Sequence, residues 1–273
     1  MRIYRTPDGI VVEQSSKYRL FPDIPWDSLF QQDDLASYLE TQRSVPLDSF
    51  GLDNLLPPIV GQEVWAAGVT YFRSRTARME EASQAGGQSF YDRVYEAERP
   101  ELFFKSTGHR AVTHRQAVVV RRDSCWTVPE PELTLAISSN GRIFGYTVGN
   151  DMSARDIEGA NPLYLPQAKV YDRSCSLGPG LLVQSEPLPG STEIRMIIRR
   201  EGRELFSGHT RLSEMKRTPE ELVEYLFRHS SFPRGCFLLT GTGVVPPSDL
   251  TLLSGDEVSI AIDAIGTLVN VVE

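Results

Sequence analysis

Between Pro129 and Asp151 the chain reads PEPELTLAISSNGRIFGYTVGND, two apolar-rich runs on either side of Asn140-Gly141. Asn-Gly in such a setting is a strong short-range hairpin signal, because both residues tolerate the positive φ that a two-residue type I′ turn requires. With that turn Ser139 faces Arg142, and counting back pair by pair sets Glu132 opposite Gly149 and Glu130 opposite Asp151. Alternate residues of a strand share a face, and so do directly opposed residues of a pair. Glu130, Glu132 and Asp151 are therefore expected on one side of the hairpin, the opposed Cβ atoms about 4.5–5.5 Å apart. Pro129 and Pro131 fix the backbone around them, and Gly149 leaves room opposite Glu132. The register depends on the turn: a three-residue loop throws Asp151 onto the other face.

Three carboxylates so close repel one another unless they are protonated or share a cation. Oxygen donors without histidine or thiolate favour a hard ion, and Mg²⁺ takes a few carboxylates together with waters and substrate oxygens. The competing reading is that Glu130 and Glu132 form the solvated face of an edge strand guarded by its prolines. A bare Glu-x-Glu favours that edge strand; the return of Asp151 in register favours the metal.

The balance of 28 basic and 36 acidic residues, net charge −8, argues against nucleic acid or an anionic membrane as a partner. The start, MRIYRTPDGIVVEQ, lacks the apolar run of a secretory signal, and no run approaches the roughly 18 apolar residues of a membrane span. Cys125, Cys175 and Cys236 are odd in number and far apart, which suits reduced thiols in a cytoplasmic protein. The four histidines form no i,i+4 pair, so no zinc pattern is present.

With 273 residues, 40% of them hydrophobic, the chain has ample material for a core. Pro57, Pro58 and Gly61 in LLPPIVGQ mark a boundary, giving a small N-terminal domain over 1–58 and a catalytic domain over 59–273. RIYRTPDGIVVEQ predicts a hairpin about Pro7-Asp8-Gly9. Beyond the boundary strand-like runs dominate: EVWAAGV, AVVVRR, ELTLAIS, RIFGYTVG, GLLVQS, EIRMIIRR, CFLLTG, EVSIAI and GTLVNVV. TPEELVEYLFRHS predicts a helix, with Thr218 as N-cap, Pro219 in the first turn and Glu221 closing a capping box. QSFYDRVYEAERP predicts a second, stopped by Pro100, and the Arg-rich run 69–87 reads as a mobile segment or short helix. The class is α+β, mostly β, and not a Rossmann fold.

Lys169, among apolar and aromatic residues in YLPQAKVYD, is a candidate to stabilise an enolate or act as a base; a surface lysine with a snorkelling stem is the commoner outcome of that pattern. The turn Thr240-Gly241-Thr242-Gly243 offers N–H groups and hydroxyls to a substrate carboxylate, and a plain tight turn accounts for it equally. Arg73, Arg75 and Arg78 are placed to attract an anionic substrate, against the usual solvated face. SEMK, Ser213 to Lys216, matches a serine–lysine pattern without its companion motifs and is discarded.

PEPELTLAISSNGRIFGYTVGNDMSARD resembles the metal-binding core of the fumarylacetoacetate hydrolase superfamily, over roughly residues 62–270. The resemblance implies a mixed β-sandwich roll, a homodimer or homotetramer, bound Mg²⁺ or Mn²⁺, and 2-oxo acid substrates. It puts the metal ligands at Glu130, Glu132 and Asp151, the active-site lysine at Lys169 and the substrate-binding turn at Thr240 to Gly243. The hydrolases carry a GxNYxxHxxE-like segment whose His and Glu activate water; here GVTYFRSRTA places Ser74 and Ala77 at those positions. His114 and Glu80 are the remaining candidates for that task. GVTYFRSR, YDRVYEAERPELFFK, WTVPEPEL, ARDIEGANPLYLPQAKVY and TGTGVVP look like the sugar-acid branch, the 2-dehydro-3-deoxy-D-arabinonate dehydratases. That branch implies dehydration to 2,5-dioxopentanoate in pentose catabolism, with Lys169 and Glu101 moving protons. Arg73, Ser74, Thr240, Gly241 and Thr242 are then the substrate contacts. The alternatives are a C–C bond hydrolase or decarboxylase acting on acylpyruvate-type 2-oxo acids, and a binding module in which the ion only ties the hairpin together.

Overall fold

The computed structural model describes residues 1–74, 93–184 and 186–273. The first strands are β1 (Arg2–Thr6), β2 (Gly9–Gln14), β3 (Lys17–Phe21) and β4 (Val45–Leu47). Next come β5 (Glu63–Gly68), β6 (Glu101–Thr107), β7 (Ala111–Val112) and β8 (Ala117–Val118). The long strands β9 (Thr127–Ile137) and β10 (Ile143–Ala154) follow, then β11 (Cys175–Val183) and β12 (Glu193–Arg200). The chain closes with β13 (Arg203–Arg211), β14 (Cys236–Leu239), β15 (Glu257–Ile262) and β16 (Gly266–Val272). Helices that matter here are α1 (Leu35–Glu40), α2 (Arg155–Ala160), α3 (Leu165–Lys169) and α4 (Pro219–Phe227). No helix among the described residues is long and apolar enough to cross a membrane.

Two sheets form. The larger runs β4-β3-β2-β1-β11-β10-β9-β14-β5-β6, with β7 against β11; the smaller runs β13-β12-β15-β16-β8. Among the described residues parallel pairing is confined to β5–β14, β7–β11 and β8–β16, which is the mostly-β, non-Rossmann class expected. The period-2 pattern of β9 and β10 divides their side chains between two cores. Leu133, Leu135, Ile137, Val148 and Met152 pack with Ile194, Met196, Val258 and Ile260 of the smaller sheet. On the opposite face Ala136 joins Phe237 and Leu239 beneath Trp26, Leu29 and Phe30 of the N-terminal segment. The hairpin about Pro7-Asp8-Gly9 forms as β1–β2, and β1 pairs with β11, so the strands of 1–58 extend the larger sheet.

The turn between β9 and β10 differs from the sequence expectation. Ser138, not Ser139, faces Arg142: Ser138 N donates to Arg142 O at 2.9 Å, and Gly141 N to Ser138 O at 3.0 Å. Gly141 alone of the turn residues has positive φ, +76°, so the connection is a three-residue loop rather than a type I′ turn. That loop by itself would set Asp151 opposite Pro129. Phe144 takes up the slip as a bulge, after which Gly145 pairs with Ala136, Gly149 with Glu132 and Asp151 with Glu130. Phe144 is held by an edge-on contact with Phe30, ring centroids 5.0 Å apart. The expected register thus arises by a different route.

Every residue of β9 is buried, so the reading of Glu130 and Glu132 as a solvated face fails. Its prolines are tolerated because β14 pairs β9 only over 134–137, which leaves a single ladder at Pro129 and Pro131. Helix α4 begins as read: the Thr218 side chain accepts from Glu221 N at 3.2 Å, with Leu222 and Leu226 buried. Glu221 turns its own carboxylate to Arg217 Nη1, 2.5 Å away, so the expected capping box is half formed. In AVVVRR only Ala117–Val118 is strand; β3 and β4 fall in 1–56, which reads as short strands and a short helix, whereas β6, β7 and β13 form where no strand is expected. Of the helix read over 88–100, Arg93–Glu96 is helical; its start, and most of the run 69–87, fall outside the described residues.

Candidate active site

Glu130, Glu132 and Asp151 are each at most 4% exposed, and one carboxylate oxygen from each lies within 4.8 Å of the others. Opposed pairing sets Glu130 against Asp151, and the two-residue step along β9 brings Glu132 to the same face. Gly149, opposite Glu132, is required: a Cβ there would come within 2.2 Å of Leu239 Cδ2 and 2.3 Å of Thr134 Oγ1. Glu132 is oriented by the turn after β14, where Gly241 N donates to its Oε2 at 2.6 Å. Gly241 has φ +91° and a Cβ on it would lie 2.0 Å from Thr70 Oγ1, so only glycine can present that N–H.

Three buried cations bind these carboxylates. Lys169, at the end of α3, donates to Glu130 Oε2 at 2.7 Å and Asp151 Oδ2 at 3.1 Å. It is 1% exposed, so the snorkelling-surface alternative does not hold. Arg155, opening α2, donates from Nη2 to Glu130 Oε1 at 2.8 Å. Lys105 Nζ lies 2.6 Å from Asp151 Oδ1, an ionic contact without hydrogen-bond alignment. It donates to Met152 O at 3.0 Å and Lys169 O at 2.5 Å, which ties β6, β10 and α3 together. Burial pushes the Glu132 carboxyl well above its ordinary value, and the negative charges of Asp151 and Glu130 push it further; Lys169 and the Gly241 N–H act the other way.

A cleft opens on this cluster, lined also by Ser74, Glu101, Phe103, Glu158 and Thr242. Ser74 is buried, and its hydroxyl donates to Tyr71 O at 2.8 Å. Arg73 is exposed and does not line the cleft. Glu101 is opposite Gly68, where a Cβ would fall 2.1 Å from Glu101 Oε2; the glycine leaves the carboxylate its place. Thr240 is buried behind the wall, its hydroxyl donating to Leu133 O at 2.9 Å. Gly243 does not line the cleft, and a Cβ there would meet Thr210 Oγ1 at 2.4 Å. His114 Nδ1 accepts from Val269 N at 3.2 Å, away from the cleft, and no histidine is among the described lining residues. Arg75, Ala77, Arg78 and Glu80 lie outside the described residues.

Sequence reasoning missed Lys105, Arg155 and Glu158. Glu101, Phe103 and Lys105 alternate in ELFFK, a two-residue period that marks one strand face; Arg155 and Glu158 stand three apart just after the strand of Asp151, one helix face. Among the described residues, the five carboxylates Glu101, Glu130, Glu132, Asp151 and Glu158 face the three cations Lys105, Lys169 and Arg155. The all-oxygen donor set of the triad suits Mg²⁺.

Residues 64–273 match the family described as fumarylacetoacetate (FAA) hydrolase, C-terminal. The chain is 47% identical over 239 residues to a probable 2-keto-3-deoxyxylonate dehydratase of Haloferax volcanii, covering 87% of this chain and 81% of that protein. It is 44% identical over 231 residues to the 2-dehydro-3-deoxy-D-arabinonate dehydratase of Saccharolobus solfataricus, covering 83% and 78%. Among solved structures, 2-keto-3-deoxy-D-arabinonate dehydratase complexed with magnesium and 2,5-dioxopentanoate superposes with a TM-score of 0.87 at 35% identity, covering 100% of this chain and 99% of the other.

Proposed function

The chain belongs to the fumarylacetoacetate hydrolase family, and from that premise we propose that it is a Mg²⁺-dependent dehydratase converting 2-dehydro-3-deoxy-D-arabinonate to 2,5-dioxopentanoate. The observation that carries the reading is the carboxylate triad, its oxygens within 4.8 Å of one another, inside a cleft that also presents Lys169 and Glu101.

Glu130, Glu132 and Asp151 hold the ion, which when bound supplies Lewis-acid stabilisation of negative charge on the 2-oxo acid. The residues do the rest. Lys169 and Glu101 move protons: one leaves C3 of the substrate, the C–O bond at C4 breaks, and the hydroxyl departs as water after gaining a proton. Lys169 is poised for charge stabilisation because its ammonium already bridges two buried carboxylates. Ser74, Gly241 and Thr242, which line the cleft, make the substrate contacts, whereas Arg73 and Thr240 stand outside it. Gly241 does so indirectly as well, since its N–H sets the Glu132 carboxylate. Arg155 and Lys105 position Glu130 and Asp151.

The same reading takes 1–58 as a small N-terminal domain, 59–273 as the catalytic domain, and the protein as a cytoplasmic homodimer or homotetramer acting in pentose catabolism. Mn²⁺ is the alternative ion. The test is incubation of metal-loaded protein with 2-dehydro-3-deoxy-D-arabinonate, with and without EDTA. Semialdehyde formed only with metal is expected. Inertness toward the sugar acid, with cleavage of an acylpyruvate, would move the chain to the C–C bond hydrolases.

A further inference from the structure

The dehydration contains a proton transfer that loss of water does not complete. On the dehydratase reading, on which this inference rests, loss of the C3 proton and the C4 hydroxyl leaves a 2-oxo acid with a C3=C4 double bond and an alcohol still at C5. The product named for the structural relative has an aldehyde at C5 and no carbon–carbon double bond. The two have the same composition, so what remains is proton relocation, with no oxidant or reductant. A proton leaves C5 and its bonding pair forms C4=C5. The C3=C4 pair then shifts to C2=C3, and the charge reaches the C2 oxygen. A proton added at C3 gives an enol at C5; loss of the enol O–H proton and gain of one at C4 gives the aldehyde. Some group must accept the proton at C5, two bonds further from the 2-oxo acid end than C3.

We propose that Glu158 is that group. Among the described residues, Glu101 and Glu158 are the two carboxylates that line the cleft outside the ion-binding triad. Glu158 sits on α2, three residues after Arg155, whose guanidinium holds the ligand Glu130 at 2.8 Å. Residues so spaced are neighbours on one helix face, with Cβ atoms about 5–6 Å apart, so Glu158 stands beside the ion site without belonging to it. Its side chain is fixed: Ser153 Oγ donates to Oε2 at 2.8 Å, and the residue is 3% exposed. Burial of a carboxylate costs free energy, and here the cost serves a wall facing substrate. A carboxylate also accepts a hydrogen bond from the C5 hydroxyl and repels the substrate's own carboxylate. Glu158 thereby sorts the two ends of the substrate, the acid toward the ion, the alcohol toward its own carboxylate.

The experiment uses the full-length Mg²⁺-loaded chain and its Glu158→Gln and Ser153→Ala variants with 2-dehydro-3-deoxy-D-arabinonate. Substrate, the unsaturated 5-hydroxy-2-oxo acid and semialdehyde are followed together by NMR and by the absorbance of the conjugated ketone. In Glu158→Gln, substrate is still consumed, semialdehyde appears about 100-fold more slowly, and the unsaturated acid accumulates. Ser153→Ala, which keeps the carboxylate but frees it, slows the same step by less, and reads the assignment should the glutamine variant fold poorly. Equal slowing of substrate loss and semialdehyde formation in a folded variant, or wild-type rates for both, overturns the assignment. Failure of the dehydratase reading looks different: the unmodified chain would not consume the sugar acid at all.

Discussion

The two faces of the β9–β10 hairpin are one residue apart in sequence and opposite in chemistry. Leu133 and Val148 point into the sandwich and join its apolar core, whereas Glu132 beside them points into a cluster of carboxylates and cations. Both faces are fully buried, so exposure does not separate them. What separates them is the supply of partners: Lys105, Lys169, Arg155 and the Gly241 N–H all serve one face. The apolar face fixes the register, since a slip of one residue would exchange every side chain between the two environments.

The sharpest way to break that contrast is Leu135→Glu, which places a carboxylate on the apolar face of the strand that carries Glu132. An unpaired buried charge costs several kcal/mol, against a total stability of about 5–15 kcal/mol. Little folded protein is expected; a cooperative unfolding transition near the wild-type temperature would refute the partner argument. Deleting Phe144 is a milder intervention. Gly145 would then follow Ile143 directly and still meet Ala136, so the carboxylate register survives while Phe144's packing against Phe30 is lost. Denaturant titration should show a loss of about 3–5 kcal/mol with one bound ion per chain retained. Loss of ion binding in a folded deletion variant would mean that the bulge does more than absorb a residue.

Lys105→Met keeps much of the side-chain volume and removes the ammonium beside Asp151. Weakening of metal affinity by about 10- to 100-fold is expected from calorimetry, as for other groups that orient a ligand. The smallest effect is reserved for a residue outside the carboxylate cleft. Thr218→Ala should cost about 1 kcal/mol through loss of the α4 cap and leave affinity and turnover unchanged.

The triad was legible because it rests on local arithmetic: a hairpin signal, the two-residue period and direct opposition. Even so, the loop length and the bulge were not. Asn-Gly announces a turn, but the Ser138 hydroxyl accepts from Arg142 N at 3.2 Å and Phe144 seeks Phe30, contacts that no dipeptide encodes. Lys169 was flagged for its apolar surroundings. Lys105 was passed over because β6 reaches Asp151 only through its long-range pairing with β5. Arg155 and Glu158 lie on a six-residue helix whose first residue follows Ala154 without a side-chain cap, so no start signal drew attention to it. Residues placed by neighbours in sequence could be read; residues placed by the sheet order could not.

The most direct test of the carboxylate site is calorimetric titration of Mg²⁺ into chelator-treated protein, wild type beside Glu132→Gln. One ion per wild-type chain is expected, with no binding to the variant. Turnover of the sugar acid should fall by at least about a thousandfold in that variant, several kcal/mol of lost charge stabilisation. Undiminished Mg²⁺ binding or turnover in a folded Glu132→Gln protein would contradict the assignment of the triad.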